Sequence, residues 1–403
     1  MINLELFSTN FSFLEKMLKK RKISRDKLFF IKEKLVEKKK IVFDINNFRK
    51  KKNEIAKNKE EKFVEKGKKV RNIIKNKEEK LKNINFEINE LIINIPNIPD
   101  EDTPSDEEGN IVIKEIIHNN KIKHKLIWEE ILKKISLIDY ESGNILSGRK
   151  FVVYRNFGSL LLHSLINFMR EENSKRGYEL IDVPYIVNNY NVYNTGQLQK
   201  FENDLYKIEN SKLYLIPTSE VSLINIYQNK IINKKNLPIK LCAYSPCFRS
   251  EKASAGKENK SLIRLHQFHK VELIKISDSE NSDNDLNEMI SDAQNLLNKL
   301  NISYRIIRLC YKELGFSSAK TYDIEAWLPV SKKWLEISSC SNCRDFQSRR
   351  AKIKIKMENK NEYAHTLNGS ALAIDRLILV LSEYYYNEKK NELILPNILN
   401  KYF

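Results

Sequence analysis

CAYSPCFRSEKASAGKENKSLIRLHQFHKVELI, Cys242 to Ile274, is the stretch whose reading decides the fold. It reads as strand, loop, strand. Side chains two apart on a strand share a face, so Arg249 and Glu251 are expected to point together. Arg264, Phe268 and Glu272 share a face on the returning strand. One face of the sheet then presents two arginines, an aromatic ring and two carboxylates. Arginine forks suit phosphate and carboxylate oxygens, and an aromatic face can stack a base. A structural sheet rarely places so many charges beside an aromatic without a ligand, so this face reads as a nucleotide site.

Outward from this pair, strands arrive in succession rather than alternating strictly with helices. Expected strands are Leu213–Ile216, Ile239–Tyr244, Leu262–Ile276, Ile302–Leu309 and Thr321–Leu328. Expected helices are Trp128–Leu137, Phe157–Arg176, Asp283–Leu300 and Ala371–Tyr386. That succession argues for an α+β fold on an antiparallel sheet. Two further constellations stand out. WLEISSCSNCRDFQSRR runs from Trp334 to Arg350. HTLNGSALAIDRLIL, from His365 to Leu379, has the form of a strand turning at Gly369 into a helix with Arg376 in its early turns.

The first quarter follows other rules. Arg25 to Ile95 holds 22 Lys+Arg against 12 Asp+Glu, one glycine and no proline. Leu28, Ile31, Leu35, Val42 and Ile45, then Val70, Ile74, Leu81, Ile84, Ile88 and Leu91, fall at intervals of three and four. This is a coiled-coil seam, interrupted by Lys38 and Lys77. The polar run Ala56 to Glu61 is the place to turn, giving an antiparallel helical hairpin with a basic outer surface. IPNIPDEDTPSDEEGN, Ile95 to Asn110, reads as a linker. The expected domains are therefore 1–110, carrying the arm and linker, and 111–403.

The whole chain of 403 residues carries a formal net charge of +18. Such an excess suits a polyanionic partner, nucleic acid first and an anionic membrane second. Heavy use of Lys, Asn and Ile through biased codons would give the same excess without a partner. A basic hairpin could also be a solvated bystander. No signal peptide or spanning stretch is evident, so a soluble, cytoplasmic protein without membrane attachment is expected. The five cysteines, Cys242, Cys247, Cys310, Cys340 and Cys343, read as thiols. Cys340-x-x-Cys343 supplies two of the four ligands zinc needs and no second pair has suitable spacing, so no zinc is expected. GNILSGRK, Gly143 to Lys150, misses the P-loop pattern: its lysine is one residue late and no Ser or Thr follows. None of the six histidines is assigned a catalytic role.

CFRSE…RLHQFHKVE resembles motif 2 of the class II aminoacyl-tRNA synthetases, and NGSALAIDR resembles their motif 3. RNFGSLLLHSLINFMREENSKRGYELIDVP, ending at Pro184, resembles motif 1. TGQLQKF (195–201), PTSE (217–220), EISSCSNCRDFQSRR and HTLNGS are similar to segments of the seryl-tRNA synthetases. The helical hairpin followed by IPNIP is similar to that family's tRNA-binding arm.

The resemblance implies a class II antiparallel catalytic core flanked by helices, a homodimer, and the partners tRNA-Ser, L-serine and ATP with Mg2+. It leaves tRNA-Sec open as a further substrate. Arg249 would hold the ATP α-phosphate and the serine carboxylate, and Glu251, beside Ser250, would read adenine. Phe268 would stack on the base opposite Arg376, and Arg264 and Arg376 would bind the outer phosphates. Glu336 and Ser339 would hold Mg2+, with Ile337 and Ser338 between them in the ATP-binding run. Thr218, Glu220 and Glu272 would bind serine's ammonium and hydroxyl, with Ser370 near its side chain. Strict alternation sets Glu336 with Ser338, so the metal pair requires a bulge at Ser338–Ser339. Four positions depart from the family's pattern: Gln199, His269, Ala371 and Asp375. A synthetase-like RNA-binding protein without catalysis is the competing reading; loss of Arg249, Glu336 or Arg376 would mark it, and all three are present.

Overall fold

The computed structural model describes residues 1–57, 61–198, 202–252 and 262–403. The chain forms two compact units, Met1–Ile98 and Pro99–Phe403.

In the first unit, α1 (Phe11–Lys19) leads into the long pair α2 (Arg25–Ile55) and α3 (Glu61–Ile93). Ser24 starts α2 with its side chain accepting from the Lys27 N–H, which satisfies one orphan donor of the first turn. Leu28, Ile31, Ile41 and Ile45 of α2, and Ile74, Ile84, Ile88 and Ile92 of α3, are buried. Ile41 takes the place expected for Val42, and Ile92 that of Leu91, as a 3.6-residue turn drifts against a seven-residue seam. Lys77, read as a break in the seam, reaches across it to Asp44 at 2.7 Å. Arg49–Glu78 and Lys34–Glu87 bridge the helices further along. Such half-exposed pairs add little stability each, but together they fix which residues face each other. The expected turn at Ala56 to Glu61 falls between the helices, and residues 58–60 lie outside the described ones.

The second unit is built on one sheet of eight strands. In chain order these are β1 (Ile111–Ile116), then, beyond the short β2 (Val153–Tyr154) and helix α4 (Phe157–Ser174), β3 (Glu179–Leu180). Helix α5 (Glu220–Asn225) precedes β4 (Ile239–Phe248) and β5 (Gln267–Ser277). After α6 (Ser282–Lys299) come β6 (Tyr304–Arg308), β7 (Lys320–Leu328) and β8 (Lys333–Asn342). Helix α7 (Phe346–Ala351), β9 (His365–Ala373) and α8 (Ile374–Tyr385) complete it. The spatial order is β1-β6-β7-β8-β9-β5-β4-β3. All pairs are antiparallel except β3 with β4.

Alternation along β5 divides its side chains between two environments. Val271 and Leu273 join the main core with residues of α4, α6 and α8. Phe268, Lys270 and Glu272 line a chamber on the other face. Further along that face, Ile274 and Ile276 pack with Leu223 and Ile224 of α5 in a smaller core.

Among the boundaries that differ from the sequence reading, three bear on the architecture around the site. The segment read as a linker belongs to the second unit from Pro99 onward: the Asp100 carboxylate accepts from Arg344 and that of Asp102 from both terminal nitrogens of Arg308. The returning strand of the opening pair begins at Gln267 rather than Leu262. The chain does not turn at Gly369, which lies mid-strand between Leu273 and Cys340. A Cβ there would meet Met289 Sδ at 2.6 Å and Cys340 Sγ at 2.9 Å, so the glycine lets α6 approach the sheet. The helix starts five residues later, at Ile374.

Candidate active site

A chamber of about 800 Å³ opens over β5, β8 and β9. Its upper part is made where β4 ends. Arg249 is the first residue past the strand: its N–H donates to His266 O at 2.8 Å and its Nε to Pro217 O at 3.3 Å. Those contacts hold the guanidinium 5.0 Å from the Phe268 ring centroid, a cation–π distance. Glu251 adopts φ +49°, and its carboxylate accepts from Arg264 Nη1 at 3.1 Å. Arg249, Glu251 and Arg264 therefore reach the chamber from loop backbone, not by the strand alternation expected of them. Convergence holds by a different mechanism. Ser250 turns away, its N–H donating to Asp204 O and its hydroxyl to Asn203 O.

The floor is polar and buried. Lys270 Nζ contacts the Glu272 carboxylate and donates to Thr218 Oγ1 at 2.9 Å. Thr218 Oγ1 in turn donates to Glu272 at 3.2 Å. Glu220, at the start of α5, accepts from Gln347 Nε2 at 2.6 Å, Asn368 Nδ2 at 3.0 Å and Gln197 Nε2 at 3.4 Å. Burial, and then the charge of Glu272, push the Glu220 carboxyl up to about 7. Ser370 faces this floor from β9, directly opposite Glu272.

The third wall is β8. Glu336 pairs with Glu325 of β7 and Ser338 with Ile324, so Ile337 is the extra residue of a bulge. The bulge thus lies one residue before the expected Ser338–Ser339. Its effect is the one required: Glu336 and Ser339 both line the chamber, while Ile337 enters the main core. Ser338 points away and donates to Ser370 O at 2.5 Å. Arg376, in the first turn of α8, donates to Glu336 O at 2.8 Å and lies 3.4 Å from its carboxylate. Its Nε reaches Ile263 O at 3.3 Å.

The chamber therefore gathers Thr218, Glu220, Arg249, Glu251, Arg264, Phe268, Glu272, Glu336, Ser339, Ser370 and Arg376. Ser250, Ile337 and Ser338 do not line it. Four further residues belong to the arrangement and were not singled out in the sequence. Lys270 shares the strand face of Phe268 and Glu272, so alternation alone could have found it. Gln347 and Asn368 lie within the quoted constellations. Asp323 lies in none of them. It pairs with Ser339 across β7–β8, and its Oδ1 is buried with no hydrogen-bond partner among the described residues. Burial and the nearby Glu336 push its carboxyl up to about 7.

Of the four departures, His269 and Asp375 meet: the His269 N–H donates to Asp375 Oδ2 at 2.6 Å. Ala371 is the extra residue of a bulge between Ser370 and Leu372 and is buried. Gln199 lies outside the described residues, as does the loop 253–261. Cys340 and Cys343 are buried thiols, and burial pushes the Cys340 thiol up to about 12.

Comparison with known proteins gives the class first. Residues 200–385 match the tRNA synthetase class II core domain (G, H, P, S and T), and residues 1–99 match the seryl-tRNA synthetase N-terminal domain. The serine–tRNA ligase of Campylobacter fetus subsp. fetus is 45% identical over 325 residues, covering 80% of this chain and 78% of that one. That of Mycoplasma capricolum subsp. capricolum is 44% identical over 326 residues, covering 80% and 76%. The crystal structure of seryl-tRNA synthetase from Pyrococcus horikoshii complexed with ATP superposes with a TM-score of 0.92 at 29% identity, over 100% of this chain and 98% of that one. The chain belongs to the seryl-tRNA synthetase family.

Proposed function

We infer that this chain activates L-serine with ATP to give seryl-adenylate and pyrophosphate, then transfers the seryl group to the 3′-terminal ribose of tRNA-Ser. The observation that carries this reading is the single chamber in which an arginine–aromatic clamp stands directly over a buried polar floor. Family membership supplies the reaction, and the geometry is consistent with the roles that the resemblance implies.

Phe268 and Arg376 would sandwich the adenine, with Glu251 reading its edge. Arg264 and Arg376 would take the outer phosphates. Thr218, Glu220 and Glu272 would hold serine's ammonium and hydroxyl, with Ser370 beside the side chain and Lys270 keeping Glu272 in place. Arg249 would lie between the two substrates and bind both the serine carboxylate and the α-phosphate. A serine carboxylate oxygen then attacks the α-phosphorus in line, and the bond to the pyrophosphate oxygen breaks. In the second step the ribose hydroxyl attacks the acyl carbon and AMP leaves. Catalysis rests on positioning and on neutralising phosphate charge rather than on protein acid–base chemistry. The floor also discriminates: alanine would leave its polar groups unpaired, which typically costs a factor of about 10⁴ or more.

The residues fit a divalent cation. Glu336 and Ser339 face the chamber together, and Asp323 brings an unpartnered oxygen beside Ser339. Two carboxylates held this close are relieved by a positive charge. Glu336 and Ser339 would hold Mg2+, which when bound neutralises phosphate charge. Among the described residues no helix is long and apolar enough to cross a membrane. The basic hairpin of the first unit is read as the tRNA-binding arm. A homodimer is supported by exposed apolar side chains on the edge strand β1 (Ile111, Val112, Ile113) and at Leu160 of α4; a monomer in sedimentation would refute it. The non-catalytic alternative is set aside, since Arg249, Glu336 and Arg376 all line the chamber.

The deciding experiment is ATP–pyrophosphate exchange with each amino acid supplied separately and Mg2+ present. Exchange with serine alone is expected; none from folded protein would overturn the reading.

Glu220 adds a pH signature. Serine's ammonium favours the ionised carboxylate, so below about 7 binding must expel a proton. Affinity for serine should rise up to about tenfold per pH unit below 7 and level off above it. Stability of the free protein moves the opposite way. The unfolded carboxyl titrates near 4.5, so between about 4.5 and 7 the native state binds more protons, and stability falls as pH rises through that window. Calorimetric titration and thermal melts across this range should show both trends; Glu220→Gln should abolish the binding trend and weaken the stability trend, to which the Asp323 carboxyl, also pushed up to about 7, contributes.

A further inference from the structure

The Asp375 carboxylate is buried at the point where the sheet hands over to α8. On β9 the ladder to β5 ends with Ala373 opposite Lys270. The next residue of β5 on that edge is His269, and the backbone that would have met it has already turned into the helix. Asp375 fills the gap: its Oδ2 accepts from the His269 N–H at 2.6 Å. Its Oδ1 accepts from the Tyr154 hydroxyl of β2. The His269 ring is itself held, with Nδ1 2.8 Å from the Tyr244 hydroxyl. Burial raises the Asp375 carboxyl and lowers the His269 imidazole, as expected of groups placed for geometry rather than for charge.

The neighbours of these two residues make the contact consequential. Phe268 precedes His269 on β5, and Arg376 follows Asp375 on α8; both line the chamber. We propose that Asp375 is a positioning residue which, by binding the His269 N–H on one side and Tyr154 on the other, fixes the separation of Phe268 and Arg376. The inference rests on the reading of that pair as the nucleotide clamp. It assigns Asp375 no contact with the reacting atoms. The pin works as a pair of hydrogen bonds, so an amide in its place can keep both: its oxygen accepts from His269 while its NH₂ donates to the Tyr154 oxygen.

The test is serine-dependent pyrophosphate exchange, with KM measured for ATP and for serine in wild type, Asp375→Ala, Asp375→Asn and Tyr154→Phe. Wild-type exchange establishes the underlying reading independently, so its absence would fault that reading and not this one. With wild type active, Asp375→Ala should raise the KM for ATP by roughly ten- to a hundred-fold, the scale of leaving a buried N–H and a hydroxyl without their acceptor. Its KM for serine should stay within about twofold. Asp375→Asn should restore the KM for ATP to within about threefold of wild type, and Tyr154→Phe should raise it in the same direction but less. The proposal is overturned if Asp375→Ala leaves the KM for ATP unchanged, if both KM values rise together, or if Asp375→Asn is as impaired as the alanine variant. Should Asp375→Ala not fold, Tyr154→Phe decides the matter: a raised KM for ATP with an unchanged KM for serine supports the proposal, and both unchanged or both raised overturns it.

Discussion

Arg249→Ala is expected to lower serine-dependent pyrophosphate exchange by at least about 10² to 10³, the scale seen when a preorganised charge stabiliser is removed from a transition state. On the proposed reading the side chain serves two substrates from one position. It lies over Phe268 on one side and is tied to Pro217 O on the other, next to the threonine and glutamates of the floor. Removing it takes away orientation of the carboxylate and charge neutralisation at the phosphorus together. The cost to folding should be slight, because Arg249 spans the chamber rather than filling a core. Its main-chain bond to His266 survives the substitution. Circular dichroism and melting temperature should match wild type. Near-normal exchange in this variant would show that the nucleotide lies elsewhere.

The second large effect concerns the arm. Deleting Lys32 to Lys82 and joining the stubs with a short flexible linker should leave adenylate formation within a few-fold of wild type. Charging of tRNA-Ser should become undetectable. A protein making six to ten phosphate contacts loses roughly 10³ to 10⁵ in affinity between about 50 and 200 mM salt. The full chain should show a dependence of that order, and the deletion variant a nearly flat one. The arm's helices bury their own seam through Leu28, Ile31, Ile41, Ile74 and Ile84. The second unit has a separate hydrophobic core, so the deletion removes a self-contained element. Undiminished charging would make the hairpin a solvated bystander and return the positive charge to codon bias.

Much of this was legible in the sequence, for reasons that differ from residue to residue. The seam of the arm was readable because its burial is local and periodic. The α+β antiparallel core was readable because strands arrive in succession rather than alternating strictly with helices. Phe268 and Glu272 were placed on one face by alternation, and the structure has them there. Arg249, Glu251 and Arg264 were assigned to one chamber by the wrong route: Arg249 is held by loop bonds to His266 and Pro217, and Glu251 by a positive φ and its pairing with Arg264, none of which periodicity encodes. Asp323 escaped because its importance arises only across the strand pair, opposite Ser339. The meeting of His269 with Asp375 joins positions 106 residues apart, beyond the reach of any local pattern.

The bulge at Ile337 sets the parity of everything after it on β8. Before it, even-numbered Glu336 faces the chamber; after it, odd-numbered Ser339 does, and even-numbered Cys340 enters the main core with Ile337 itself. Removing that one residue would restore simple alternation with Ser338 on the core side and Ser339 on the chamber side, so the pairings on both flanks would survive and only the Ile337 side chain would leave the core. The strand is thus written in two reading frames spliced at a single residue. Removing one residue from the regular part of β8 instead, with no bulge to absorb it, would act like a frameshift within a finished protein, altering the site and the core at once while leaving every other residue's identity intact.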